Sequence, residues 1–344
     1  MTNRAFAVEA PCTLLRLLSE EFDDRRLAKV LGHEQRVPAH LWDAALVGPL
    51  VDFLGRPGKE FRARLVCLGW QLSGRNGAPP AELPLILEAL HSGSLIVDDI
   101  EDESNQRRGA PALHCRYGLP RALNAGNFLY FWALELLSRL GLPPITELAL
   151  HRAFSHTLLA CHQGQALDLS VDVTRLAQTE VLPTVSAVTR LKTGKLCELA
   201  AQVGALAAGA SQSKAQAIAR FGGELGIGLQ MLDDLGGIVS ERRAHKGHED
   251  LRQRRPTWPW AWAAESLDAG AYAKIQNLGR SLATSDELRC SVASQLRAAV
   301  AVHGRAQARA RLAEALARLA EAVPEPRAIL ELEHELARLE KSYD

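Results

Sequence analysis

With 344 residues and 47% hydrophobic side chains, the chain can bury one large core or two modest ones, and its composition speaks against disorder. Forty basic and forty acidic side chains cancel, so no global field attracts nucleic acid or an anionic membrane, and any phosphate recognition is local. Six scattered cysteines with no paired spacing suggest neither a disulfide framework nor a zinc site. The opening MTNRAFAVEAPC is too short an apolar run for a signal peptide, and no stretch approaches the ~20 apolar residues of a spanning helix. The expectation is a cytoplasmic protein with no transmembrane segment and no nucleic-acid partner.

Along the chain, Leu, Ala, Glu, Arg and Gln dominate and alternating β-branched runs are nearly absent, which predicts an all-α fold. Breakers fall at Gly55 to Gly58, Ser73 to Pro80, Gly141 to Pro144, Ser240 to Gly247 and Val323 to Pro326. None is long enough for a domain linker, and the intervening segments of roughly 15 to 30 residues suit a packed bundle. One domain over 1–344 is expected, with its motifs at about 45–300 and charged helices at about 301–344. The tail from Arg305 to Tyr343 reads as helices with a solvated face, and TWPWAW as packing beneath a lid.

The segment LIVDDIEDESNQRRG, residues 95–109, ends an apolar run in clustered acids. On a helix, Asp98 and Asp102 lie one turn apart on one face with Asp99 beside them. Taken alone, such acids mark a solvated helix end; the preceding LEALHSGSLIV instead brings them out of a buried helix into a cleft. A second pair, Asp233 and Asp234, closes GIGLQMLDDLGG, with Gln230 one turn or less earlier. Hard oxygen ligands on two facing helices suit Mg²⁺ and leave positions open for phosphate oxygens. Cations stand near both clusters: Lys59 and Arg62 in GKEFRARL, Arg107 and Arg108 after the first acids, Lys192 in RLKTGKL, and Lys246 and Arg255 after the second. Each singly is an ordinary surface residue; together they offer the forks and point charges that diphosphates require.

These motifs make the sequence resemble the trans-isoprenyl diphosphate synthases, or polyprenyl synthetases, and within them the geranylgeranyl diphosphate synthases of eukaryotic type. DDIEDESNQRRGAPALHCRYG matches the first aspartate-rich motif DDxxD with its following RRG, and GQALDL, KTG, LQxxDD and KGxxEDL follow in the family's order from about Gly58 to Pro259. The resemblance implies a helical bundle of isoprenoid synthase type around a deep central cavity. It implies that Asp98, Asp102 and Asp233 ligate Mg²⁺ on an allylic diphosphate, with Asp99 and Asp234 supporting. Arg107 and Lys192 would grip that diphosphate with Lys246 closing over it, Arg255 would bind substrate, and Gln165, Asp168, Thr193 and Gln230 would line or orient the site. Lys59, Arg62, His91 and Arg108 match the pocket for isopentenyl diphosphate; outside this setting His91 reads as a core histidine. The family also implies a homodimer.

The implied reaction is condensation of an allylic diphosphate with isopentenyl diphosphate. Pyrophosphate departs, the double bond attacks the allylic cation, and loss of a proton restores an alkene. An alternative keeps the fold for a terpene-synthase-like cyclase or diphosphate hydrolase, and another is a non-catalytic prenyl-diphosphate-binding partner subunit. Departures from the family pattern are Gly237 in DDLGG, Glu60 and Ala63 in GKEFRA, and Arg255 where lysine is usual. Gly93 and Ser94, five and four positions before Asp98, are expected on the shaft that receives the growing chain, with Leu90, Phe128, Phe131 or Trp132 as its floor. In the resembled family a bulky aromatic at this level stops elongation at fifteen carbons, so small residues here imply a product of at least twenty, the DDIED context implies geranylgeranyl diphosphate, and Gly93→Phe is predicted to shorten it.

Overall fold

The segments rich in Leu, Ala and Glu form helices almost throughout the residues that the computed structural model describes, 10–32, 36–58, 60–240, 244–280 and 286–341. Helices α1 (Ala10–Glu21), α2 (Asp24–Leu31), α3 (Ala39–Trp42) and α4 (Gly48–Leu54) lead into α5 (Phe61–Leu72) and α6 (Glu82–Glu101). A short hairpin, β1 (Gln106–Arg107) and β2 (Ala110–Pro111), precedes α7 (Leu113–Tyr117), α8 (Leu119–Ser138) and α9 (Pro144–Ser170). Then come α10 (Gln178–Thr189), α11 (Lys195–Ala207) and α12 (Gln212–Val239). The chain closes with α13 (Ala244–Arg252), α14 (Trp258–Ser266), α15 (Ala269–Gly279), α16 (Asp286–Ala322) and α17 (Pro326–Lys341).

Most breakers act as their chemistry requires. α4 stops before Gly55, α5 before Ser73 and α16 before the VPEP turn, while Pro144 opens α9, where a missing N–H costs nothing. The expected break from Ser240 to Gly247 is shorter than that, because α13 begins at Ala244 and takes Gly247 into a helix. Nor is there a boundary near residue 300: α16 runs through it, burying Ala308, Leu312, Ala315 and Leu319 as one stripe. That helix packs on α12 and α14, where Trp258, Trp260 and Trp262 are all buried.

One hydrophobic cluster runs from Leu14 in α1 to Leu336 in α17, so the first and last described helices join the same core. α6 packs along α8, and α11 lies between α5 and α12. The α5–α11 crossing is tight: a Cβ on Gly204 would stand 1.9 Å from the Val66 carbonyl oxygen, so glycine lets the backbones touch. α5 begins beside α6 through a cap from another helix, the buried Glu88 carboxylate accepting from the Ala63 N–H at 3.0 Å. Between α10 and α11 the helix widens into a π turn over Arg190–Gly194, which carries Lys192 and Thr193. Such turns alter the register of side chains and recur at functional sites.

Candidate active site

At the C-terminal end of α6 the chain opens onto a cavity of about 440 Å³, within the usual range for a ligand site. Asp98 and Asp102 both face it, one turn apart as the spacing predicts. Gln165 on α9 donates to Asp98 at 3.1 Å and to Glu101 at 2.7 Å, while its own Oε1 is buried without a partner. Lys192 donates to Asp168 at 2.5 Å and lies 3.6 Å from Asp98. Arg255 binds the Asp102 carboxylate and the Asp168 carbonyl, and Gln253 donates to the Asp102 carbonyl at 2.9 Å.

Electrostatics follow this crowding. Asp102 is pushed up to about 6 by burial and by the Asp98 charge, against Arg255 and Lys192. Burial works against the charge on Lys192, yet Asp98 and Asp168 hold its pKa above the ordinary value. Seven carboxylates line the cavity, from Asp98, Glu101, Asp102, Asp168, Asp234, Glu249 and Asp250, against four basic side chains, from Arg62, Arg107, Lys192 and Arg255. The wall therefore carries an excess of negative charge that a multivalent cation would relieve.

Asp99 has a different place from its neighbours. It is only 1% exposed, points away from the cavity and binds Arg107 through Nε at 2.7 Å and through Nη2. Burial raises its pKa, and Arg107 offsets part of that. The second acid pair also divides. Asp234 reaches the cavity wall, accepting from Gln230 at 2.7 Å and from the Trp258 N–H at 3.0 Å, and Thr193 donates to Gln230 at 3.0 Å. Asp233, expected as a metal ligand, is half-buried on another side of α12 and does not line the cavity, because adjacent helical residues diverge by about 100°. Among the described residues no three His, Cys, Asp or Glu side chains form a set ready for a metal ion.

A chamber of opposite sign adjoins the acids. Arg62 Nη1 donates to His91 Nε2 at 2.9 Å, His91 Nδ1 lies 3.3 Å from the Ser94 hydroxyl, and that hydroxyl donates to the His91 carbonyl at 2.8 Å. A neutral imidazole protonated on Nδ1 satisfies this chain. Burial, with Arg62, Arg108 and Arg107 nearby, pushes the His91 pKa well below the ordinary value. Arg62 Nε is buried without a partner. Arg108 lies over the Phe53 ring at 5.5 Å and does not line the cavity; burial and the guanidiniums around it lower its pKa despite Glu88. Lys59, assigned to the same pocket, lies outside the described residues, as does the side chain of Lys246.

The expected shaft needs correction. Leu90 and Ser94 line the cavity, but Gly93 faces α8, where a Cβ would meet the Gly126 carbonyl oxygen at 2.8 Å and Leu129 Cβ at 3.0 Å. Gly93 permits a helix crossing and is no part of the wall. Phe128 stacks on Trp132 at 6.0 Å, Trp132 donates to Glu21 at 3.0 Å, and Phe131 is 72% exposed, so none of the three forms a floor. The same helix presents Tyr130 instead, edge-on to His162 of α9 at 6.0 Å, with Leu95 and Leu158 beside them. Periodicity along α8 could have singled out Tyr130 only once the face toward α6 was known. Glu101, inside DDIED, and Gln253, two residues beyond KGxxEDL and two before Arg255, were missed although the first sits in a recognised motif and the second beside one.

Comparison with known proteins agrees with this geometry. The model of the polyprenyl synthetase family matches residues 43–293, most of the chain. The chain belongs to the polyprenyl synthetase family. A geranylgeranyl diphosphate synthase of Sulfolobus acidocaldarius is 32% identical over 205 residues, 58% of this chain and 61% of that protein, so the match spans less than two thirds of the relative's length. A (2E,6E)-farnesyl diphosphate synthase of Mycobacterium bovis is 32% identical over 251 residues, 69% of this chain and 68% of that one. The all-α fold is that of the geranylgeranyl pyrophosphate synthase from Corynebacterium glutamicum, crystallised with isoprenyl diphosphate and magnesium. The TM-score is 0.74 at 22% identity, covering 97% of this chain and 98% of that one. In this polyprenyl synthetase the oxygen-rich wall and the orphaned Gln165 Oε1 fit a hard dication with its anionic ligand.

Proposed function

We propose that this polyprenyl synthetase condenses an allylic diphosphate with isopentenyl diphosphate, releasing pyrophosphate, and that geranylgeranyl diphosphate is its product. The observation that carries this reading is the pair of unlike places for a diphosphate. One is the acid-lined end of the cavity with Lys192 and Arg107, and the other is the part lined by Arg62 and His91, with the Arg108 charge behind it. A cyclase or a hydrolase of one diphosphate has no use for the second.

Asp98 and Asp102 would hold Mg²⁺, which when bound neutralises the allylic diphosphate and eases its departure. Lys192 and Arg107 stand beside Asp98 and would donate charge-assisted hydrogen bonds that strengthen as the carbon–oxygen bond breaks. Arg62 and His91 would orient isopentenyl diphosphate, so that its double bond meets the allylic carbon. Leu90, Leu95, Leu158 and Leu196 keep water from the cation that forms. No protein nucleophile takes part.

Ser94 lines the cavity one turn before Asp98 and, being small, leaves the shaft open there, which favours a chain of twenty carbons over fifteen. The proposed assembly is a homodimer. Phe131 of α8 is 72% exposed, and Ile145, Leu148 and Leu159 of α9 are 75%, 46% and 62% exposed, forming an apolar surface on adjoining helices. Among the described residues no helix is long and apolar enough to cross a membrane. Incubating the purified protein with Mg²⁺, isopentenyl diphosphate and dimethylallyl, geranyl or farnesyl diphosphate, then identifying the lipids, tests the reaction and its product. Consumption of the allylic diphosphate without isopentenyl diphosphate would instead establish the cyclase or hydrolase reading.

A further inference from the structure

Arg107 and Arg108 are adjacent, yet Arg107 lines the cavity while Arg108 lies behind it over Phe53, close enough for its charge to be felt at His91. The local cause is the hairpin turn: Arg107 pairs with Ala110, and the intervening Arg108 and Gly109 have φ of 53° and 77°. Positive φ at both central residues is the conformation suited to a two-residue hairpin. Glycine adopts it freely, whereas an arginine there is strained unless its surroundings hold it. Arg107 is fixed independently through Asp99. Arg108 makes no such ion pair among the described residues, so something else must hold it near His91.

Arg56 is placed to do this. Its side chain is 6% exposed, pairs with Asp52 at 3.2 Å, and donates through Nη1 to the Arg107 carbonyl at 3.1 Å. That carbonyl belongs to the peptide joining Arg107 to Arg108. The two guanidiniums also share one ring, with Arg56 5.4 Å and Arg108 5.5 Å from the centre of Phe53. Asp52 in turn receives Arg116 at 3.0 Å, so α4 and α7 meet at one carboxylate that Arg56 links to the hairpin. A buried arginine next to other arginines is costly to desolvate, and a purely structural role would be filled more cheaply by an apolar residue.

We infer that Arg56 is a positioning residue for the isopentenyl diphosphate pocket: it holds the Arg107–Arg108 peptide so that Arg108 presents its charge to the second diphosphate. The inference rests on the two-pocket reading above. Arg56→Met keeps most of the buried apolar stem and leaves Asp52 paired with Arg116. In steady-state assays with Mg²⁺, geranyl diphosphate and isopentenyl diphosphate, this variant should raise KM for isopentenyl diphosphate about tenfold, the scale of one lost charge-assisted hydrogen bond. KM for geranyl diphosphate should stay within about twofold, since Arg107 keeps its own anchor. Arg56→Lys should restore part of the loss, and Arg56→Met in an Arg108→Ala background should add little. Equal rises in both KM values, or no rise in either, overturn the inference, as does a full additional loss in the double variant. If Arg108→Ala alone leaves KM for isopentenyl diphosphate unchanged, the two-pocket reading falls, and this inference with it.

Discussion

Asp102 holds a proton more tightly than an ordinary carboxyl, its pKa pushed up to about 6 by burial and by Asp98 one turn away. Charge crowded in this way is the expected state of a site waiting for a cation. Asp98→Ala and Asp102→Ala should each lower turnover by ~100-fold or more, because neutralisation of the departing diphosphate is lost. Steady-state rates at saturating and limiting Mg²⁺ check this, with circular dichroism to confirm the fold; near wild-type rates would remove these carboxylates from the mechanism. Arg62→Ala should raise KM for isopentenyl diphosphate more than KM for the allylic primer, and Lys192→Ala should do the reverse. His91 offers a test without substrate. Its folded-state pKa lies below its unfolded value, so the unfolded chain binds the extra proton and stability falls as pH drops below about 6.5. His91→Gln should flatten that part of the urea-denaturation profile between pH 8 and 5, and an unchanged slope would place the protonation elsewhere.

At the scale of elements, two glycines expected to shape chemistry turn out to shape helix contacts. Gly93 lies against α8, so Gly93→Phe should destabilise the fold by ~1–3 kcal/mol or more through overpacking, without a clean change of product. Product length should respond to Ser94, which lines the cavity on the same turn: Ser94→Phe is expected to shift products toward fifteen carbons, read by chromatography of the dephosphorylated alcohols. If Ser94→Phe leaves the chain length unchanged, the growing chain takes another path. Gly237 has a comparable explanation. It stands where many family members carry a third acid, but a Cβ added at Gly237 would meet the Gly247 Cα at 3.1 Å, because α12 and α13 touch backbone to backbone there. Gly237→Asp should therefore part the two helices and weaken the hold of Gln253 and Arg255 on Asp102, seen as a lower Tm and a higher Mg²⁺ requirement. A side chain tolerated there without loss of Tm would contradict the crossing.

For the molecule as a whole, the exposed apolar residues of α8 and α9 share their helices with Tyr130 and His162 of the cavity wall. A second copy seated there would cover both. Sedimentation equilibrium should give a dimer, and Phe131→Glu with Leu159→Glu should shift it toward monomer while leaving helicity intact. The sequence by itself determined the helical class, the positions of most breaks and the two acid clusters, because these depend on propensity, on glycine and proline, and on spacing within a single helix. Asp98 and Asp102 were legible for that reason: one turn of α6 relates them. Tertiary structure alone decided that Asp99 anchors Arg107, that Asp234 rather than Asp233 reaches the cavity, that Gly93 meets α8, and that Tyr130 and His162 join the cavity wall. Each of those outcomes depends on which face of a helix meets which neighbour. Long-range packing sets that choice, and the α6–α8 and α12–α14 contacts that enforce it join residues far apart in the chain.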